Sequence, residues 1–456
     1  MMQTTRSFHL ISLGCPKNEV DAECMSAALR DAGYIFESDP ARACVLIVNT
    51  CAFIEPAVEE AIDAILDVAD IKARSDEPQY IVVTGCLSQR YKQDIFDALP
   101  EVDAILGTGE YGAIVSVCDR LLRGESLRDE LPGRAGTIDH LDIDRIPSSP
   151  PATYAYIKIA EGCSNACAFC AIPRLRGPQR SRQVEAIVAE AKRRVARGVK
   201  ELILVAQDTT RYGLDIYGEP SLAKLLRRLA EDVPEAPVIR CLYFYADMLT
   251  DELIDVMATT PAVAHYVDLP IQHASDRILR AMRRHETADV IVRRIERLRA
   301  AMPDVMLRTT VMTGFPGETE DDVRRLIDLI EAVRFDRLGC FVFSPEEGTR
   351  AAQMPDRVPE DVGRRRRDQV MAAQKPIALA SNERRVETVT PVLLEGVDDH
   401  GILFRGRSYG EAPDIDPVIY VAATTPDLTI GSRPLVHIIE AKPYELLGVT
   451  THEFSE

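Results

Sequence analysis

Residues 156–173 read YIKIAEGCSNACAFCAIP, an apolar run that empties into a loop carrying Cys163, Cys167 and Cys170. Taken as a β-strand, YIKIA delivers three thiols in a CxxxCxxC pattern to its carboxyl end, the edge at which parallel α/β folds build their sites. Three ligands is an unusual number. A structural zinc site closes with four N or S ligands, and an iron–sulfur cube takes one thiolate per iron. Three thiolates on one cube leave an iron open to bind a substrate. A zinc site completed by a distant ligand and a set of unliganded structural thiols are the competing readings.

Working outward from that strand, the same rhythm of apolar run and amphipathic helix continues through ELILVAQ, VIRCLYF, AHYVDLP, VMLRTTVMTG and RLGCFVFS. Six βα units are too few for a closed eight-stranded barrel, so residues 155–385 are expected to form an open, partial (β/α)6 barrel. Upstream, FHLISLGC, ACVLIVNTC and YIVVTGC are each followed by a helical pattern, which predicts a parallel α/β domain over residues 1–136. The polar, Pro-rich stretch TIDHLDIDRIPSSPPATY reads as a linker over 137–154. From about residue 386, short strands separated by Gly, Pro and Asp predict a small antiparallel β-barrel to residue 456.

A chain of 456 residues with 46% hydrophobic, 28% charged and 6% aromatic residues suits a multidomain globular protein. No apolar run approaches the roughly 20 residues of a membrane span. The start, MMQTTRSFHLISLGC, lacks the long apolar core of a signal peptide, so a cytoplasmic protein is expected. In that compartment eleven cysteines are metal ligands or small core residues in preference to disulfides. A net charge of −18 argues against a chain-wide grip on nucleic acid and suits a basic partner.

Cys15, Cys51 and Cys86 each terminate one of the three upstream runs. Carboxyl ends of parallel strands converge on one sheet edge, so these thiols are expected to be neighbours. Separate burial of three unrelated cysteines is the plain alternative. Cys24 and Cys118 in helical patterns, and Cys44, Cys241 and Cys340 in strands, read as small core residues.

The triplet resembles that of the radical S-adenosylmethionine enzymes, and EGCSNACAFCAIPRLRGPQRSR, GCPKN, VNTCAFI and TGCLSQR resemble the methylthiotransferases among them. The likeness runs through nearly the whole chain, in the order cluster domain, radical domain and TRAM barrel. It implies two [4Fe-4S] clusters, one on Cys163, Cys167 and Cys170 that cleaves S-adenosylmethionine reductively, and one on Cys15, Cys51 and Cys86 that holds the sulfur to be donated. It also implies an electron donor, a sulfur source and a pocket for S-adenosylmethionine lined by Gln207, Gln272 with His273, and the strand end carrying Arg308, Thr310 and Gly314. No acid–base residue is sought, because the carbon to be modified carries no acidic proton worth tuning a base for.

Two branches of the family share this architecture. One modifies an adenosine of transfer RNA; the other modifies the β-carbon of an aspartate in ribosomal small-subunit protein S-12. Between Glu387 and Glu456 twelve acidic residues face four Lys or Arg, which disfavours RNA. SLGCPKN and RGRSYGEAPDID also resemble the ribosomal-protein branch, with Pro417 departing from the glycine expected after DID. A noncatalytic zinc- or RNA-binding scaffold is the remote alternative.

Three further stretches need weighing. GTGEYG at 107–112 fits GxGxxG, but it comes late in its domain and reads as an ordinary glycine turn. GFPGETEDD predicts turns at Gly314 and Gly317 and a helix capped by Thr319 and Asp322. The run Arg364, Arg365, Arg366, Arg367 reads as a solvated helix face or a contact to ribosomal RNA.

Overall fold

The computed structural model describes residues 6–133, 137–145, 153–424 and 427–454. Its N-terminal unit runs β1 (Ser7–Ser12), α1 (Pro16–Asp31), β2 (Ile35–Phe36), β3 (Val45–Thr50), α2 (Glu55–Arg74), β4 (Tyr80–Gly85), α3 (Cys86–Tyr91) and β5 (Ala104–Leu106). All five strands are parallel, in the order β2-β1-β3-β4-β5. The two short strands β2 and β5 extend the three-strand core read from the sequence. Continuous apolar runs such as VLIVNT make a strand buried on both faces, and separate hydrophobic clusters cover the two sides of this sheet. Strand order reverses between β1 and β3, so a crevice opens at their carboxyl ends.

In the central unit β6 (Tyr154–Lys158) is followed by a ribbon of β7 (Ala160–Glu161) and β8 (Arg180–Ser181), then by β9 (Glu201–Val205), β10 (Val238–Cys241), β11 (Tyr266–Asp268), β12 (Met306–Thr313) and β13 (Arg337–Val342). The parallel ladders β6-β9-β10 and β11-β12-β13 are joined by a bridge between Ile239 and Val263. This is the expected six-stranded partial barrel. Side chains alternate along its strands. Ile157, Leu202, Leu204, Ile239, Val267 and Leu307 face the surrounding helices. Tyr156, Ile203, Val205, Leu242 and Tyr266 face inward, where they meet Val20 and Cys24 of α1. The first helix of the N-terminal unit therefore lies in the concave face of the barrel, while Met25 and Leu29 of the same helix pack on its own sheet.

The described part of the linker is packed between the units: Leu141 and Arg145 are buried. The C-terminal unit comprises β14 (Val389–Pro391), β15 (Leu393–Val397), β16 (Phe404–Arg407), β17 (Val418–Ala422), β18 (Pro434–Lys442) and β19 (Glu445–Phe454), in the order β14-β18-β19-β17-β16-β15. The sheet curls on itself, since β14 and β15 are consecutive in the chain yet stand at its two ends. One pair, β17 with β19, is parallel, so the barrel is not purely antiparallel.

The stretch RGRSYGEAPDID is spent on holding this barrel against the radical domain. Arg407 pairs with Glu201 at 2.7 Å, Arg240 donates to the carbonyls of Tyr409 and Ser408, and Tyr266 donates to Asp416. Glu411, fully buried, takes Arg385 and lies 3.4 Å from Arg337.

Candidate functional site

Cys163, Cys167 and Cys170 lie on the loop that the β7–β8 ribbon closes at its base. Gly162 makes the entry possible: at φ +77° it brings its Cα so near the returning chain that a Cβ would sit 2.2 Å from the Pro178 carbonyl oxygen. Cys163 N–H then donates to the Gly177 carbonyl, which draws the loop into a tight cup. Burial pushes the Cys163 thiol up to about 11 and that of Cys170 up to about 12, and both feel the charge of Cys167. Backbone N–H groups of Asn165 and Ile172 point at Cys163 and Cys170, and Arg284 and Tyr245 reach Cys167.

Across the interface, Cys15 opens α1 just beyond β1, Cys51 follows β3, and Cys86 opens α3 directly after β4. These are the expected positions, with Cys15 and Cys51 flanking the crevice where strand order reverses. Gly14, at φ +92°, lets β1 pass so close to Cys51 that a Cβ there would stand 2.5 Å from the Cys51 Cβ and 3.2 Å from its sulfur. Burial raises Cys51 to about 12, and Cys86 and Cys15 add to the rise by their charge. Burial opposes ionisation of Cys15 too, but Lys17, Arg176 and the N–H groups of Asn18 and Lys17 outweigh it and hold this thiol below the usual range.

The two trios are linked by a buried polar network that sequence reasoning missed. Lys158, on an inward position of β6, donates to Asp21 of α1 at 2.5 Å and to Glu161 at 2.6 Å. Arg176 lies 2.9 Å from Glu161, 3.2 Å from Asp21 and 2.5 Å from the Asn18 side-chain oxygen, and it also reaches the Cys86 thiol. Glu161 stands two residues before Cys163, and Asn18 three after Cys15. One buried network therefore ties the first two turns of α1 to the base of the CxxxCxxC loop. A second set, in which Arg145 pairs with Glu23 and Glu190, and Arg182 with Glu190 at 2.6 Å, repeats the link farther along α1.

Comparison with known proteins follows this division. The Radical SAM superfamily model matches residues 157–330, the model described as uncharacterized protein family UPF0004 matches 7–107, and the TRAM domain model matches 387–450. The chain is 45% identical over 445 residues to the ribosomal protein uS12 methylthiotransferase RimO of Trichlorobacter lovleyi, covering 97% of this chain and 98% of that protein. It is 44% identical to the protein of the same name from Geobacter sulfurreducens, over 98% and 99% of the two chains. The chain belongs to the RimO family of methylthiotransferases. Among solved structures, the radical S-adenosylmethionine methyltransferase TsrM of Kitasatospora setae superposes with a TM-score of 0.57 at 15% identity, over 74% of this chain and 72% of that one, a likeness of fold.

RimO-family membership makes this chain a radical S-adenosylmethionine methylthiotransferase that uses S-adenosylmethionine and [4Fe-4S] clusters. The thiols present fit such clusters. Each trio gathers sulfurs within electrostatic reach of one another; burial opposes their ionisation, lowering winning only at Cys15, while backbone N–H groups or basic side chains aimed at them offset part of that cost and leave the rest to a bound cluster. Among the described residues no three His, Cys, Asp or Glu side chains meet at the spacing of a single ion. A cube spreads its thiolates over separate irons and asks for that wider arrangement.

The residues expected around S-adenosylmethionine divide into three groups. Gln207 follows β9 and donates to Glu161 at 2.9 Å, while its own carbonyl oxygen is buried beside the cysteine loop without a partner among the described residues. Gln272, at φ +65°, is locked by backbone bonds to Thr310 and Met312, and His273 accepts the N–H groups of Ala274 and Ser275 through Nδ1, with Nε2 3.6 Å from Glu318. Glu318 also accepts the Gly314 N–H, so these residues gather at the ends of β11 and β12. Arg308 stands apart, held 2.7 Å from Asp268 and 3.5 Å from Asp416 of the barrel.

The other stretches also resolve. Glu110 accepts the Gly107 N–H within GTGEYG and the Gly133 N–H from outside it, so one amide of the motif is already taken by its own acidic residue. Thr319 and Asp322 form the expected capping box. Arg366 departs from the solvated face: it is buried and pairs with Glu318 and Glu320, each at 2.9 Å, whereas Arg364 and Arg367 are exposed beside Glu360 and Asp368.

Proposed function

We propose that this chain inserts a methylthio group at the β-carbon of an aspartate in ribosomal protein uS12, the small-subunit protein S-12. The observation that carries the reading is the placement of two cysteine trios on facing edges of two parallel sheets, joined by one buried charge network, in a chain that matches RimO proteins over nearly its full length.

Within this reading Cys163, Cys167 and Cys170 hold one cluster, and Cys15, Cys51 and Cys86 hold the other. When bound, the clusters and S-adenosylmethionine supply one-electron cleavage of the sulfonium and formation of the carbon–sulfur bond. The chain supplies position. Lys158 and Arg176 fix α1 against the cysteine loop and thereby fix the distance between the trios. Gln207, Gln272, His273 and Gly314 form the wall for S-adenosylmethionine at the strand ends, and the unpartnered Gln207 oxygen offers it an acceptor. Arg308 acts at one remove, through its tie to the barrel. The closely packed interface excludes water and oxygen. An electron donor and a sulfur source complete the reaction.

We divide the chain at residues 136, 155 and 386 and place the protein in the cytoplasm; no described helix is long and apolar enough to cross a membrane. The acidic C-terminal barrel, with twelve Asp or Glu against four Lys or Arg, favours a basic protein over transfer RNA. The test is mass spectrometry after anaerobic incubation with S-adenosylmethionine, reductant, uS12 and transfer RNA. One methylthio group on an aspartate of uS12 is the expected product, and a gain on adenosine would overturn the choice of substrate.

A further inference from the structure

Lys17 differs from the other buried basic groups between the trios. It is 7% exposed, yet among the described residues no carboxylate stands at ion-pair distance from it. Lys158 next door has two. Buried ammonium groups are ordinarily paired, because desolvation is costly without a counter-charge. Lys17 also occupies the first turn of α1, the positive end of the helix dipole, where a cation is disfavoured. Arg176 is near enough to repel it. What Lys17 does face is the ring of Tyr243, with the ammonium 3.6 Å from the ring centroid, and the Cys15 thiol, whose ionised form it favours.

Tyr243 is itself held in an uncommon state. Its φ is +63°, in the region glycine prefers, and the conformation is imposed by the Asp268 carboxylate on its N–H at 3.1 Å and by the Thr209 N–H on its carbonyl at 3.1 Å. It follows β10, at the barrel edge that carries the radical-domain site. Lys17 comes two residues after Cys15, so the pair lies where the two cluster sites face each other.

We propose that Lys17, backed by the Tyr243 ring, is the seat for the side-chain carboxylate of the substrate aspartate. The carboxylate partner that Lys17 lacks arrives with the substrate. The carboxyl carbon is bonded directly to the β-carbon, so an ammonium that grips the carboxylate holds the reacting carbon one bond away, between the trios. The seat selects aspartate over asparagine and gives no purchase to a nucleobase. This inference rests on the reading of uS12 aspartate as the substrate.

The experiment uses the full chain with both clusters loaded, under anaerobic conditions, and compares binding of uS12 with binding of uS12 whose target aspartate is replaced by asparagine. Wild type should prefer the aspartate form by roughly tenfold or more, the size of one charge-assisted hydrogen bond. In K17Q the two forms should bind alike. K17R keeps the charge, preserves cluster loading, and should retain part of the preference; it decides the matter if K17Q loses iron. A preference that survives undiminished in these variants, with only the spectrum of the Cys15 cluster altered, would mean that Lys17 balances cluster charge and would overturn the proposal, as would a wild type indifferent to the change. Failure of wild type to bind either form would instead sink the substrate reading beneath it.

Discussion

Replacing Arg176 by Met removes one of the two cations, Lys158 and Arg176, that share two buried carboxylates. Asp21 and Glu161 are shared by Lys158 and Arg176, and all four side chains are at most 3% exposed. After the change, Lys158 is the one permanent cation facing two carboxylates, with the His140 ring 3.5 Å from Asp21, and one negative charge is left without a full counter-charge. Breaking a buried pair in this way costs about 3–5 kcal/mol. The loss has a ceiling, because the stranded carboxyl can take a proton: neutralising it at pH 7.5 costs about 4 kcal/mol relative to its ordinary value. At pH 5 that cost falls to about 1 kcal/mol, so the defect should shrink on acidification. Since these charges clamp α1 to β6, the loss is expected as opening of that interface. Hydrogen exchange of the peptides spanning Pro16–Asp31 and Tyr154–Lys158 should accelerate by roughly a thousandfold at pH 7.5 and by under about tenfold at pH 5, after correction for intrinsic rates. Arg324→Met is the control, because its pair with Asp321 is 68% and 75% exposed and should matter little. Acceleration of R176M below about tenfold at pH 7.5, or an equal effect at both pH values, would refute the reasoning.

Two further outcomes are expected. Burial opposes ionisation of Glu411, but Arg385, Arg337 and Ser408 overcome it and hold the carboxyl at about 2. A depressed carboxyl stabilises above its unfolded value and loses that contribution as pH falls through the folded one, so about 3 kcal/mol of barrel docking should vanish between roughly pH 4.5 and 2; Glu411→Gln should flatten that limb in an acid titration followed by hydrogen exchange. Gly14→Ala forces a side chain into φ +92° and against Cys51, and should leave a folded chain with about half of its iron after anaerobic reconstitution, since only the Cys15 trio is disturbed.

Much of the site could be read from the chain because strand-end position is encoded locally. SLGC, VNTC and VTGC place a thiol at the end of an apolar run, and parallel pairing brings such ends together whatever the rest of the fold does. The capping box of Thr319 and Asp322 was equally legible, since its partners are three residues apart. The charge network was not. Asp21, Lys158 and Arg176 come from three distant segments, and Lys158 looks like an exposed alternate residue of a half-buried strand until α1 is known to fill the barrel's concave face. That packing leaves little trace in α1, whose apolar residues serve two opposed surfaces and whose polar ones are buried as well. Arg366 misled for a related reason: four consecutive arginines point in four directions around a helix, and one of them meets Glu318. RGRSYGEAPDID was recognisable as a motif, but only the structure shows it facing the radical domain.

The central claim is that two cysteine trios do separate work in one interface. It is tested most directly by replacing Cys15, Cys51 and Cys86 together with alanine and measuring 5′-deoxyadenosine and methylthio-uS12 in the same anaerobic reaction. The account predicts that 5′-deoxyadenosine is still formed from S-adenosylmethionine while no methylthio-uS12 appears. Loss of both products in protein that remains folded and retains the iron of the Cys163, Cys167 and Cys170 site would contradict it.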